Sequence, residues 1–326
     1  MKTVFSGIQP SGNLHIGNYF GSIANWIDLQ KNHKCIFGIM NLHAITVKQD
    51  PEELRKNIID CAILYLAAGI DPKKSIIFTQ SQVSQHSELA WILSCFTPLG
   101  WLNRMTQYKE KSAKSGTQNL GLYAYPTLMA ADILLYKTNL VPTGEDQKQH
   151  LELTRDIAFT LNNQYQKDFL TIPESLIIGD NKRVMSLIDG TSKMSKSDIS
   201  DYSRINLNDS EELIIKKCKK AKTDSQMGIA YDKERVELFN LINIFSACEN
   251  EKPENIAKKY ENSGFGSFKT DFANSLVSKI KPIQENIKEL NNNLDYVADI
   301  LKEGQEKAKE LAFKNLQEIK SVIGLA

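Results

Sequence analysis

The chain has 326 residues, 41% of them hydrophobic and 24% charged, with 40 lysines and arginines against 39 acids for a net charge of +1. This is a globular composition that excludes collagen-like, coiled-coil and disordered readings, and the charge balance alone gives no reason to propose a nucleic-acid partner. The longest predominantly apolar stretch, residues 120–136, is broken by Pro126, Thr127 and Asp132 and falls short of the roughly 20 apolar residues that span a bilayer, so no membrane partner is expected.

Chain order then supplies the elements. Residues 3–6 read as a buried strand that reaches Gly7 and Pro10 before any signal-type apolar run forms, and a cytoplasmic location is expected. Residues 35–40 and 76–79 are further short strands, rich in β-branched and aromatic side chains. Between them, Pro51-Glu52-Glu53 opens a helix with proline at a first helical position and acids in the first turn. Leu54, Ile58, Cys61 or Ala62, and Tyr65 recur at helical spacing until Gly69 stops it. Strand and helix alternating in this way predict a parallel sheet with crossover helices, and ligands at the carboxyl ends of its strands. The segment 122–136 contains another predicted helix, with Pro126 at a plausible first helical position and Tyr125, Met129, Asp132, Ile133 and Tyr136 on one face. From about Asp198 the pattern is helical without strand signals: Ile283, Ile287, Leu290, Leu294, Val297 and Leu301 follow one stripe. Five lysines within residues 216–222 could meet phosphates, but the pattern favours a solvated helix face.

Chemistry concentrates in four places. The segment Gln9-Pro10-Ser11-Gly12-Asn13-Leu14-His15-Ile16-Gly17-Asn18 leaves the first strand and opens a helix, so backbone N–H groups converge at a positive helix end suited to a polyphosphate. Gly190-Thr191-Ser192-Lys193-Met194-Ser195-Lys196-Ser197 places two lysines and several hydroxyls on a glycine-led loop able to neutralise a leaving pyrophosphate. Asp132 sits in an apolar, aromatic stripe and must hold a donor, either a neighbouring Arg, Lys or backbone N–H or an indole N–H, which donates only. The fourth, Val141-Pro142-Thr143-Gly144-Glu145-Asp146-Gln147, is a strand end running into a helix whose acids at least complement the dipole. No metal site is read: the five cysteines are scattered without a C-x-x-C pair, and His33, His86 and His150 have no ligand spacing and are expected on the surface or in a satisfied core.

The His15-Ile16-Gly17-Asn18 turn, with Lys193-Met194-Ser195-Lys196-Ser197 downstream, resembles the two signatures of class I aminoacyl-tRNA synthetases. Residues 1–18, 122–136, 141–156 and 185–198 resemble the tryptophan branch of that family. The resemblance implies a Rossmann-type catalytic domain over residues 1–197 and a helical, tRNA anticodon-binding domain over residues 198–326, working as a homodimer. It implies tryptophanyl-adenylate formation from L-tryptophan and ATP, with Mg2+ accompanying the nucleotide, followed by transfer to tRNA(Trp). On the matching positions it places the catalytic roles at Lys193, Lys196 and Asn18. ATP contacts fall at Gln9, Pro10, Ser11, Gly17, Asn18, Gly144, Glu145, Asp146, Val184, Lys193, Met194, Ser195, Lys196 and Ser197. The amino-acid pocket falls at Asp132, Phe5, His43, Tyr125, Met129, Val141 and Gln147, with Asp132 on the indole. Lys111 is a further position near the ATP tail, or else an exposed lysine.

Overall fold

The short strands pair as their burial requires. In the computed structural model, which describes residues 1–10, 12, 14–105, 119–144, 147–176, 183–196 and 198–326, β1 (Thr3–Ile8), β2 (Lys34–Ile39), β3 (Ser75–Thr79), β4 (Leu140–Pro142) and β5 (Glu174–Leu176) form one parallel sheet in the order β3-β2-β1-β4-β5. The register runs from Thr3 opposite Lys34 to Ile8 opposite Ile39. Strand order reverses at β1, which puts the topological switch point of a doubly wound sheet at the loop that follows Ile8.

The helices are α1 (Ile16–Asn18) and α2 (Ala24–Leu29), joined by a π-helical turn over Tyr19–Ile23, then α3 (Asn41–Ala44), α4 (Pro51–Ala68), α5 (Gln85–Phe96), α6 (Leu99–Leu102), α7 (Leu120–Leu134), α8 (Lys148–Gln164), α9 (Glu211–Lys220), α10 (Val236–Glu249), α11 (Pro253–Lys259), α12 (Phe265–Asn291) and α13 (Leu294–Ile323). Helix α4 follows its sequence signals closely. Asp50 caps it by accepting from the N–H groups of Glu52 and Glu53 at 2.9 and 3.0 Å, and Gly69 ends it at a φ of +109°. Helix α7 does not start at Pro126 as expected. Asn119 caps it by accepting from Leu122 N–H at 2.7 Å, and Pro126 lies inside, where it removes one backbone donor.

The chain forms two compact units. One comprises Met1–Ser11, Asp28–Ile178 and Asn293–Ala326, the other Gly12–Ile27 and Gly179–Asn292. The boundary expected after residue 197 therefore differs from the division observed, because α13 joins the sheet unit. Its Gly304 lies so close to β3 that a Cβ there would collide with the Ile77 carbonyl oxygen. Ala308, Ala312, Leu316 and Ile319 enter the same apolar core as Phe5, Phe78 and Val141. Polar ties add to this: Asn315 donates to the Leu135 carbonyl at 2.8 Å, and Lys137 pairs with Glu318 at 2.6 Å. The apolar stripe read as one helix is also divided, since α12 ends at Asn291 and α13 begins at Leu294, which is half exposed. Three consecutive asparagines, Asn291 to Asn293, are weak helix formers and mark the break.

The second unit has its own core on α9 to α12, where Phe245 packs against Phe268 and Phe272 at centroid distances of 5.8 and 5.9 Å. Lys217, expected on a solvated face, is fully buried there and pairs with Asp209 at 2.6 Å and Asp201 at 2.7 Å. Lys216, Lys219, Lys220 and Lys222 are exposed as expected, with Lys222 paired to Glu237 at 2.7 Å.

Candidate active site

Helix α7 carries Asp132 into the core of the sheet unit, where it is 1% exposed. Among the described residues, the donors that hold it are neither Arg, Lys nor backbone. His43 Nε2 lies 2.7 Å from Oδ2, while Gln80 Nε2 and His86 Nδ1 lie 2.7 and 2.6 Å from Oδ1. Burial pushes the carboxyl pKa up, but the imidazoles of His43 and His86 outweigh it and hold Asp132 below its ordinary value. The site thus presents an ionised acceptor inside an apolar wall.

That wall contains most of the expected pocket residues. Phe5, at the centre of β1, stacks on Tyr136 at 5.6 Å, and the buried His43 lies edge-on to Tyr125 at 6.2 Å. Tyr125 reaches His150 Nε2 through its hydroxyl at 2.8 Å, so His150 lies in the core as its sequence context suggested, but only one of its ring nitrogens is hydrogen-bonded among the described residues. Val141 belongs to the same core, and the half-buried Met129 packs against it. Gln147 is half-buried at the start of α8, its N–H donating to the Gly144 carbonyl at 3.0 Å. Gln9 is half-buried and Pro10 buried just past β1.

The second unit holds the His-Ile-Gly-Asn turn. His15 caps α1: its Nδ1 accepts from Gly17 N–H at 3.1 Å, and Asn18 Oδ1 accepts from His15 N–H at 3.1 Å. Gly17 has no room for a side chain, because a Cβ would meet the His15 ring at 2.8 Å. The turn is pinned from behind by Ile16 N–H to Ile205 O and Leu207 N–H to Leu14 O, both 3.0 Å. Burial, followed by the positive charges of Lys196, Arg204 and Lys193, lowers the His15 pKa to about 4. The imidazole is therefore neutral near pH 7, with its proton on Nε2 because Nδ1 is an acceptor.

The lysine loop folds over that turn within the same unit. Met194 is buried, and its N–H donates to the Val184 carbonyl at 3.1 Å, while Lys196 Nζ reaches the Gly12 carbonyl at 3.4 Å. Gly12 adopts a φ of +60°, which glycine tolerates. Ser195 and Asn18 are half-buried and Lys193 is exposed. The expected positions Ser11, Glu145, Asp146 and Ser197, together with Lys111, lie outside the described residues. Sequence reading passed over Gln80 and His86 as Asp132 partners, because neither stands at a spacing that links it to α7.

A parallel sheet with its switch point at β1, a glycine turn capped by a neutral histidine and a lysine loop on that turn together define a class I synthetase fold. The family described as tRNA synthetases class I (W and Y) matches residues 1–312, and the chain belongs to it. A tryptophan–tRNA ligase from Rickettsia bellii is 51% identical over 325 residues, covering 99% of this chain and 98% of its own. The solved tryptophanyl-tRNA synthetase of Campylobacter jejuni, complexed with ADP and tryptophan, is 37% identical with a TM-score of 0.82 and full coverage of both chains. That of Mycoplasma pneumoniae is 34% identical with a TM-score of 0.87, covering 100% of this chain and 98% of its own. A tyrosyl-tRNA synthetase from Archaeoglobus fulgidus, at 19% identity and a TM-score of 0.71, shares the fold.

Proposed function

We propose that the two clusters divide one reaction between them, Asp132 and its walls selecting the amino acid and the histidine turn and lysine loop handling the nucleotide. The chain activates L-tryptophan with ATP to tryptophanyl-adenylate and transfers tryptophan to tRNA(Trp). The observation that carries the substrate choice is an ionised carboxylate, Asp132, fully buried and held by His43, which lies edge-on to Tyr125, in a unit whose core takes in Phe5, Met129 and Val141. Such a group is an acceptor only, and the indole N–H is a donor only.

In the first step the tryptophan carboxylate attacks the α-phosphorus of ATP in line, and the bond to pyrophosphate breaks. No covalent protein intermediate is needed, so positioning and charge stabilisation carry the rate. Lys193 and Lys196 take the pyrophosphate charge, with Met194, Ser195 and Ser197 shaping the loop. Neutral His15 offers Nε2–H, and Gly17 lets phosphate approach the backbone beside Asn18. Because Asn18 caps α1 with its amide oxygen, its amide nitrogen is the atom that faces the nucleotide. Gln9, Pro10 and Ser11 line the triphosphate, Gly144, Glu145 and Asp146 the ribose, and Val184 the adenine. Gln147 lies at the amino-acid head group. In the second step the terminal 2′-OH of tRNA attacks the mixed anhydride and AMP leaves.

Among the described residues no three His, Cys, Asp or Glu side chains converge as a metal site. Mg2+ would accompany the nucleotide and add to the charge neutralisation that Lys193 and Lys196 supply. Helices α9 to α12 are the proposed tRNA anticodon-binding region. Trp91, Leu99 and Leu120, on α5, α6 and α7, are each more than 65% exposed and support a homodimer. Among the described residues no helix is long and apolar enough to cross a membrane, and we place the protein in the cytoplasm.

Exchange of labelled pyrophosphate into ATP, run without tRNA against the twenty standard amino acids, tests this reading. Exchange with tryptophan alone is expected. Exchange with tyrosine instead would overturn the role of Asp132, and exchange with none would overturn the reaction.

A further inference from the structure

The surroundings of Asp132 carry a further step that rests on the reading above. A carboxylate oxygen offers two acceptor positions. Both positions of Oδ1 are taken, by Gln80 Nε2 at 2.7 Å and His86 Nδ1 at 2.6 Å. Among the described residues Oδ2 accepts from His43 Nε2 alone, at 2.7 Å. Neither Oδ1 donor is free to turn away. The Gln80 amide is oriented because its Oε1 accepts from Leu42 N–H at 3.0 Å. The His86 ring stacks on Phe78 at 5.5 Å, and its Nε2 meets the Tyr136 hydroxyl at 2.8 Å. Gln80 and His86 are both fully buried.

We propose that Gln80 and His86 are specificity-determining positioning residues: by saturating Oδ1 and fixing the carboxylate plane, they leave one acceptor on Oδ2, suited to one ring N–H donor. The acceptor-only carboxylate of Asp132 requires the proton on His86 Nδ1, and the Tyr136 hydroxyl, as donor to Nε2, supports that tautomer. This is the logic by which an outer partner fixes the tautomer of an imidazole that orients a functional group. Without His86, Oδ1 regains a vacant acceptor and the carboxylate can rotate, so the single-donor requirement relaxes. His43 stays on Oδ2 and continues to mark the acceptor edge.

The test compares tryptophan with its isostere in which sulfur replaces the indole N–H, a ring of nearly the same shape with no donor. Equilibrium dissociation constants for both ligands are measured on the full-length protein, wild type, His86→Leu, His86→Asn and Gln80→Met. Wild type should prefer tryptophan by at least about 100-fold, as expected where a buried acceptor is otherwise left unpaired. His86→Leu should reduce that preference about tenfold or more by weakening tryptophan, with isostere affinity held within about threefold. His86→Asn keeps an N–H near the Nδ1 position and should restore much of the preference. Gln80→Met, at the same oxygen, should shift it in the direction of His86→Leu and serves if that variant does not fold. A wild type that does not discriminate would overturn Asp132 as the indole acceptor. If wild type discriminates, an unchanged ratio in both His86→Leu and Gln80→Met, or an equal loss for both ligands, would overturn the positioning role alone.

Discussion

At the scale of single residues, the two clusters should separate cleanly in kinetics. Lys196 lies 3.4 Å from the Gly12 carbonyl and contributes to the field that keeps His15 neutral, so its charge is placed for the polyphosphate and not for the indole. Lys196→Ala should lower the single-turnover rate of adenylate formation by about 100-fold or more while changing tryptophan affinity less than about threefold. Asp132→Ala should show the opposite pattern, weakening tryptophan by about 100-fold because three buried donors lose their acceptor along with the ligand. Equal effects on rate and affinity in both variants would remove the division of labour. His15 gives a second residue-scale expectation. Its folded pKa, about 4, lies below the ordinary 6.5, so between those values the unfolded chain binds more protons than the folded one. Stability from this group is complete above about pH 6.5 and is lost as pH falls toward 4. Nitrogen NMR of the imidazole at pH 5.5 should show the neutral Nε2–H form, and a doubly protonated ring there would contradict the assignment.

Elements show where sequence is a sufficient guide and where packing decides. Helix α4 was legible from Pro51, the acids after it and Gly69, because a first-turn proline and a left-handed terminator are local features, while the Asp50 cap emerged only in the structure. The start of α7 was not, since Pro126 is an equally good first-turn residue and only the fold shows Asn119 already capping the helix seven residues earlier. Helix α13 is the strongest case of a nonlocal cause. Gly304 reads as a helix-weakening residue, yet it is what allows the helix to approach the edge strand β3, covering an edge that would otherwise be open to pairing. Gly304→Ala should therefore destabilise the protein by at least about 2 kcal/mol, although alanine favours helix by about 1 kcal/mol at an exposed site. Chemical denaturation reads the sign directly. A stabilised variant would mean that the close approach is not maintained in solution.

At the scale of the whole molecule, the sequence made three strands, the strand end at Val141 and the two signature segments legible, since strand patterns and glycine turns are written over a few residues, whereas β5, exposed at Glu174 and Ser175, has no apolar run to mark it. The chain's return to its first unit was less accessible. Residues 283–301 keep one apolar period through the asparagine run, so a single stripe reads as continuous where the chain passes from one compact unit to the other. The pocket was legible in the same partial way: Asp132 announced its need for a donor, but Gln80 and His86 lie 52 and 46 residues away, and only the fold brings them to it. This division of the chain has a consequence for truncation. A helical domain of residues 198–326 added to a complete catalytic domain would allow a chain ending before α13 to keep amino-acid activation and lose only tRNA charging. The structure leads to a different expectation, because α13 supplies Ala308, Ala312, Leu316 and Ile319 to the core that also contains Phe5 and Val141 of the amino-acid pocket. Ending the chain at Asn293 exposes that apolar face and the β3 edge together. The truncated protein should lose its cooperative thermal transition, and tryptophan-dependent pyrophosphate exchange should fall by at least about 100-fold, in parallel with charging. Full exchange with a sharp transition in the shortened chain would show that α13 is dispensable to the sheet unit and restore the simpler division near residue 197.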